Sequence, residues 1–395
     1  MTLSTTVVRF ALPLLLWASA PVMAQQPSRE GERLMAEFGL REAASPMSSQ
    51  VRWRVPQKIL VDTGVPGLIE ALRNQAPGVT FVGANSPASA VTMVAGADAM
   101  IGRSAFICDE RLLAAGKDLR WLQSVYAGVE ACAARADLLR DRQIVVTNLR
   151  AISAPVIAEH VIAFTFALSR GLQAWIPLRE QRIWAEDSSR APMSVIAGKT
   201  MLIVGLGGIG SETAKRAHAL GMRVIATRAT AQPKPDYIEY VGASSDLVTL
   251  IRQADVVVNA LPLTAETRGV FDAAMFARMK RSAFFINVGR GQTVVTADLT
   301  AALKSRTIAA AALDVVDPEP LPKDNPLWAQ PNLVLTPHIS ALISGWSPAS
   351  GCCAKTFAAT LQVGRCCPSS MSSEATELCG SCEGGRYSVE SRLHA

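Results

Sequence analysis

Short apolar runs recur along this chain. The first, KILVD at 58–62, reads as an opening strand, and the stretch 65–74 after it as a helix. Further strands are predicted at 79–82, 99–101, 120–124 and 144–147, separated by helical stretches such as 109–115. The alternation resumes with strands at 201–204, 223–227, 255–260, 283–288, 309–316 and 333–336. Runs so short and so uniformly apolar suit strands buried on both faces. Alternation with helices argues for parallel α/β sheets, one in each half.

Between the halves, Pro155 suits the first turn of a helix. The continuation at 158–172 is apolar all round, which predicts burial between domains. His160 within it reads as a structural histidine. Gln181, Arg182 and Trp184 then lead through the polar stretch 187–190 into the second half.

The second half opens on one βαβ unit. Gly205, Gly207 and Gly210 complete G-x-G-x-x-G directly after the strand at 201–204, and a helical pattern follows to 220. In that setting the pattern signifies dinucleotide binding. The amides at the helix start, at Gly208 and Ile209, then face a pyrophosphate.

Polar residues follow the carboxyl ends of the later strands, the edge where open α/β sheets bind ligands. Pro262 follows 255–260, and Val288 precedes Gly289 and Arg290. The strand at 309–316 carries Asp314 and leads to Glu319, and His338 follows 333–336. Of four histidines, His338 is the best placed. Arg290, Glu319 and His338 supply a cation, a carboxylate and an imidazole, enough to hold an acid and move a proton beside a hydride transfer. The glycine loop at 124–130 reads from spacing alone as an ordinary βα turn.

Composition narrows the picture. At 395 residues and 49% hydrophobic the chain suits two domains. A net charge of +6 without a Lys/Arg run excludes nucleic acid as an indicated partner. Residues 1–24 have the pattern of a signal peptide: Arg9, an apolar 10–20, then Val22-Met23-Ala24. A leader at 25–50 follows. Export would make the protein periplasmic or secreted, with no membrane anchor in the mature form. An overextended gene start, with Met35 or Met47 as the true one, would leave it cytoplasmic. Only Cys108 and Cys132 precede residue 350, whereas the other six of eight cysteines crowd the end of the chain. Their adjacent pairs fit no common metal spacing, and no metal site is expected.

The stretches GLGGIG, LPLTAETRGVF, FINVGRG, ALDVVDPEPLP and NLVLTPHIS resemble the D-isomer-specific 2-hydroxyacid dehydrogenases over residues 58–346. The resemblance implies two Rossmann-like domains facing across a cleft. One is a doubly wound cofactor domain at 154–340, the other a smaller flavodoxin-like substrate domain at 51–153. His338 would be the general acid/base, with Glu319 orienting it. Arg290 would bind the substrate carboxylate, and Ala127, Gly128 and Val129 would form the backbone cradle for it, reversing the reading from spacing. Gly205, Gly207, Gly208, Ile209, Gly210, Pro262, Val288 and Asp314 would line the cofactor, Asp314 at the nicotinamide carboxamide. Arg228 stands where NAD-binding members place an acid, which favours NADP over NAD. A homodimer through the cofactor domain is implied, and the substrate is a small 2-keto or 2-hydroxy acid.

The resemblance stops after Trp346. With ordinary codons and a shifted frame, the segment from Lys355 can be read as a family-like C-terminus followed by a stop. The tail at 341–395 is therefore expected to be a frameshift product, disordered, in place of the family's return helix. The alternative function is a non-catalytic dinucleotide-binding protein or an inactive gene product. Formate dehydrogenase-like chemistry fits less well, because Glu319 stands where a glutamine is expected.

Overall fold

The computed structural model describes residues 54–342 except 77, 149–152, 185–192 and 231. The expected signal peptide, the leader and nearly all of the tail lie outside the described residues. Two parallel sheets organise the rest. The first contains β1 (Lys58–Asp62), β2 (Thr80–Ala84), β3 (Ala99–Gly102), β4 (Trp121–Ser124) and β5 (Val145–Thr147), in the order β2-β1-β3-β4-β5. The second runs β12-β11-β10-β9-β6-β7-β8. Its strands are β6 (Thr200–Val204), β7 (Arg223–Thr227), β8 (Tyr240–Gly242), β9 (Val256–Asn259), β10 (Phe284–Asn287), β11 (Ala310–Leu313) and β12 (Leu333–Leu335). The first order is that of flavodoxin-like sheets; the second is the doubly wound dinucleotide order extended by one strand.

Alternation of side chains explains why the central strands are apolar throughout. Ile59 and Val61 point into one core with Leu68, Leu72 and Trp121, whereas Leu60 points into another with Phe106 and Leu122. In the second sheet Leu202 and Val204 join Phe271, Phe276 and Phe285, while Met201 and Ile203 face Val161, Ala214 and Val224. Each sheet therefore carries a core on both faces.

Among the described residues five helices have eight or more residues: α1 (Leu68–Gln75), α2 (Ala154–Ser169), α3 (Leu172–Glu180), α4 (Gly208–Ala219) and α5 (Thr296–Lys304). The helix expected at 65–74 starts later because Gly67, at φ 72°, forms its N-terminal boundary. The long apolar helix does not lie sandwiched between two domains. Val161, Phe164 and Leu168 of α2 pack into the second sheet's core beside Ala214 and Ala217 of α4, whose small side chains allow a close approach. Phe166 on another side of α2 is 40% exposed.

A disulfide between Cys108 and Cys132 joins the segments that follow β3 and β4. Both cysteines are buried, and the bond fixes the short helix Glu130–Ala133 to the helix Ser104–Ile107.

Candidate active site

The dinucleotide loop begins where β6 ends. Gly205 has φ 97°, a left-handed value that L side chains rarely adopt, and a Cβ there would lie 2.9 Å from the Ala260 carbonyl oxygen at the neighbouring β9 exit. A Cβ on Gly210 would collide with the Gly205 carbonyl oxygen, so glycine is what lets α4 close on the strand. Nothing lies within 4 Å of the Cβ position at Gly207, and α4 begins with no side-chain cap. Open space before an uncapped helix start suits the pyrophosphate of a dinucleotide. Gly208 and Ile209 are the first two residues of that helix.

Arg228 follows β7 and is half-buried. Its Nη1 donates a long hydrogen bond to Gln232 Oε1 at 3.4 Å, while its Nε is buried without a partner among the described residues. Burial lowers the pKa of the guanidinium, with Tyr237 acting weakly in the opposite direction. The half-buried guanidinium at the far end of the βαβ unit puts a positive charge beside the exit of β7.

The exits of β9 and β10 are tied by a buried polar network. Asn259 Nδ2 donates to Asn287 Oδ1 at 2.9 Å and to Thr293 Oγ1 at 2.7 Å. Thr293 Oγ1 in turn donates to the Arg290 carbonyl at 2.6 Å, and Asn287 Oδ1 accepts from the Gly289 amide. All three side chains are at most 1% exposed. The network fixes the turn that presents Arg290. Val288 is buried within this turn, and Pro262 lies exposed beyond β9, its carbonyl accepting from Thr267.

His338 and Glu319 meet. Nδ1 of His338 lies 2.9 Å from Glu319 Oε2, and Glu319 Oε1 accepts from the Val316 amide at 3.0 Å. With Nδ1 donating to the carboxylate, Nε2 is the ring nitrogen left for a substrate. The His338 backbone is left-handed at φ 55°, and its amide donates to the Asp314 carbonyl at 2.8 Å.

Asp314 is 2% exposed and anchors this turn. Its Oδ1 accepts from Thr336 Oγ1 at 2.6 Å and the Ile339 amide at 2.9 Å, and its Oδ2 from the Ser340 amide at 3.0 Å. Burial pushes the carboxyl pKa up, but hydrogen bonds from Ser340, Thr336 and Ile339 outweigh it and hold the value below normal. His160 lies 3.1 Å from Thr336 Oγ1 through Nε2. Its pKa is lowered by burial, against the pull of Asp314.

The loop that follows β4 of the first sheet rests on Ser124 and Asn148. Ser124 Oγ donates to the Tyr126 carbonyl at 2.9 Å, and Asn148 Nδ2 to the Ala127 carbonyl at 2.7 Å. The loop faces Arg290: a Cβ on Gly128 would lie 2.5 Å from Arg290 Nη2. Val129 is the N-cap of the short helix beginning at Glu130. The corresponding switch point of the first sheet, between β1 and β3, is occupied by an ion pair: Arg103 Nε and Nη2 reach Asp62 at 2.6 and 2.9 Å.

The structure thus gathers Arg290, Glu319, His338 and Asp314 on one sheet edge, with 127–129 opposite Arg290. Asn259, Asn287, Thr293, Asn148, Thr336 and Glu130 escaped the sequence reading. The asparagines had a signal, a lone amide ending an apolar run. Among the described residues no group of three or more His, Cys, Asp or Glu could hold a metal.

Two parallel α/β domains with a glycine loop and an imidazole–carboxylate pair at strand exits define a dinucleotide-cleft protein. Residues 162–340 match the family described as D-isomer specific 2-hydroxyacid dehydrogenase, NAD binding domain. The solved structure of a D-isomer specific 2-hydroxyacid dehydrogenase family protein from Aeromonas salmonicida superposes with TM-score 0.64 and 30% identity. The alignment covers 76% of this chain and 94% of that one. The NADPH-dependent glyoxylate/hydroxypyruvate reductase of Sinorhizobium meliloti, solved with NADP and sulfate, gives TM-score 0.62 at 26% identity, covering 72% and 89%. Glyoxylate/hydroxypyruvate reductase B of Salmonella newport is 39% identical over 206 residues, 52% of this chain and 64% of that protein. The match therefore spans less than two thirds of that curated relative. The chain belongs to the D-isomer specific 2-hydroxyacid dehydrogenase family.

Proposed function

We propose that this protein is an NADPH-dependent reductase of small 2-keto acids, of the glyoxylate or hydroxypyruvate type, yielding the D-2-hydroxy acid. The observation that carries the reading is the 2.9 Å pairing of His338 Nδ1 with Glu319 at the sheet edge that presents Arg290. Arg290 binds the substrate carboxylate with the Ala127–Gly128–Val129 backbone and draws electron density from the keto group. His338, held by Glu319 through Nδ1, gives its Nε2 proton to the carbonyl oxygen and is reprotonated from solvent, to which its side chain is 52% exposed. The dinucleotide, when bound, supplies the hydride. Residues 205–210 would hold its pyrophosphate, and the outer nitrogens of Arg228, of which Nη1 makes only a long bond to Gln232, a 2′-phosphate.

A panel of keto acids with NADPH and with NADH, run on wild type and His338→Ala, tests the proposal. Turnover should favour NADPH and fall about 10²- to 10⁴-fold in the variant. No turnover despite tight dinucleotide binding would instead indicate a non-catalytic binder, and a preference for NADH would overturn the role given to Arg228.

Phe166, Leu172 and Ile176 are exposed along α2 and α3, and with Val195, 68% exposed, they support a homodimer through the cofactor domain. The buried Cys108–Cys132 disulfide supports maturation in an oxidising compartment, periplasmic or extracellular.

A further inference from the structure

The Arg290 side chain reaches across to the other domain. Its Nε donates to Glu130 Oε1 at 2.8 Å, and its Nη1 donates back to the Gly289 carbonyl at 2.8 Å. A guanidinium has five N–H donors in a rigid fork. These two bonds hold one side edge and one outer nitrogen, and Nη2 lies against Gly128. Glu130 therefore grips the Nε edge rather than the fork's outer end, which a carboxylate ligand engages through Nη1 and Nη2. Glu130 itself is held firmly. It opens the helix Glu130–Ala133, two residues before Cys132, whose disulfide ties that helix to the segment after β3. On the opposite side the Asn259–Asn287–Thr293 network fixes the turn carrying Arg290.

We infer that Glu130 is a positioning residue that aims the Arg290 guanidinium at the 127–129 loop. The two partners are 160 residues apart and follow strands of different sheets, β4 and β10. The pair consequently exists only when the domains face each other at this separation, so the arginine is aligned when the cleft is assembled. Glu130 makes no contact with substrate or cofactor in this role; it acts through Arg290. The inference rests on the proposed function, in which Arg290 binds the substrate carboxylate.

The test uses the full chain with Glu130→Gln and Glu130→Asp, beside Arg290→Ala as a control for the underlying reading. Steady-state kinetics are measured on the keto acid that wild type reduces fastest, with NADPH affinity and melting temperature measured in parallel. In Glu130→Gln, kcat/KM should fall about ten- to a hundredfold, the scale of an active group misplaced by about 1 Å. The loss should appear chiefly in KM, with NADPH affinity and melting temperature unchanged; a general structural role would move all of them. Glu130→Asp should recover part of the loss, because the charge remains on a shorter arm. Unchanged kcat/KM in Glu130→Gln would overturn the inference. A lowered KM would also overturn it, showing that Glu130 competes with substrate for the arginine. Should Glu130→Gln fail to fold, an Asp variant of native stability and wild-type KM would do the same. Full activity in Arg290→Ala, or no turnover by wild type, would refute the underlying reading instead.

Discussion

Asp314 offers a quantitative test of how the site is held. Asp314→Asn keeps the shape of the side chain but removes its charge and turns one oxygen into an –NH2 donor. If the remaining oxygen serves Thr336 and Ile339, the new amide faces the Ser340 amide, donor against donor, at a position that is 2% exposed. One charge-assisted hydrogen bond is lost and a buried donor is left unpaired, which together cost about 3 kcal/mol. Urea unfolding followed by tryptophan fluorescence at neutral pH should show this loss directly. The pH dependence supplies a second reading. The folded pKa of Asp314 is lowered, so its stabilisation is fully present above the unfolded value of about 3.9 and is lost as pH falls through the folded one. The gap between wild type and variant should therefore narrow in acid. Because the 339–340 amides next to His338 hang on the Asp314 carboxylate, kcat should fall as well. A loss below about 1 kcal/mol, with weaker NADPH binding as the only effect, would refute the anchoring role and return Asp314 to the nicotinamide.

Two further outcomes are expected. Replacing both Cys108 and Cys132 with Ala opens a loop closed by a sequence separation of 24 and should cost about 3.5 kcal/mol on the chain-entropy account; two free thiols at these positions in non-reduced protein, found by peptide mapping, would refute the bond and the compartment proposed from it. Light scattering should report a dimer that Phe166→Glu with Ile176→Glu dissociates, and a wild-type monomer at micromolar concentration would refute the assembly proposed for the exposed face of α2 and α3.

The strands were legible because parallel strands buried on both faces leave unbroken apolar runs: β1 and β7 have the bounds expected from sequence. The run at 309–316 predicted a strand twice as long as the observed Ala310–Leu313, because Val315 is buried in the turn without extending the ladder. Hydropathy reports burial, whereas strand length depends on pairing. The short β8 was missed because its Tyr240 and Val241 are not buried, so it carries no apolar run. Arg290, Glu319 and His338 could be found as polar residues just past strand ends. Their supports could not, because the partners are remote in sequence: Glu130 and Arg290 differ by 160 positions, His160 and Thr336 by 176. Nor does cysteine spacing state which sulfurs meet; the exits of β3 and β4 had to be placed side by side first.

The left-handed backbone at His338 has a bearing on attempts to make this protein more robust. A side chain other than glycine costs about 1–2 kcal/mol in that conformation, although histidine tolerates it better than most. Glycine at this position would relieve the cost, and asparagine would reduce it. A library screened only for survival of heating would therefore drift toward discarding the imidazole, scoring the loss of the proposed proton donor as an improvement. Selection for durability on this scaffold has to be coupled at every round to a readout of turnover.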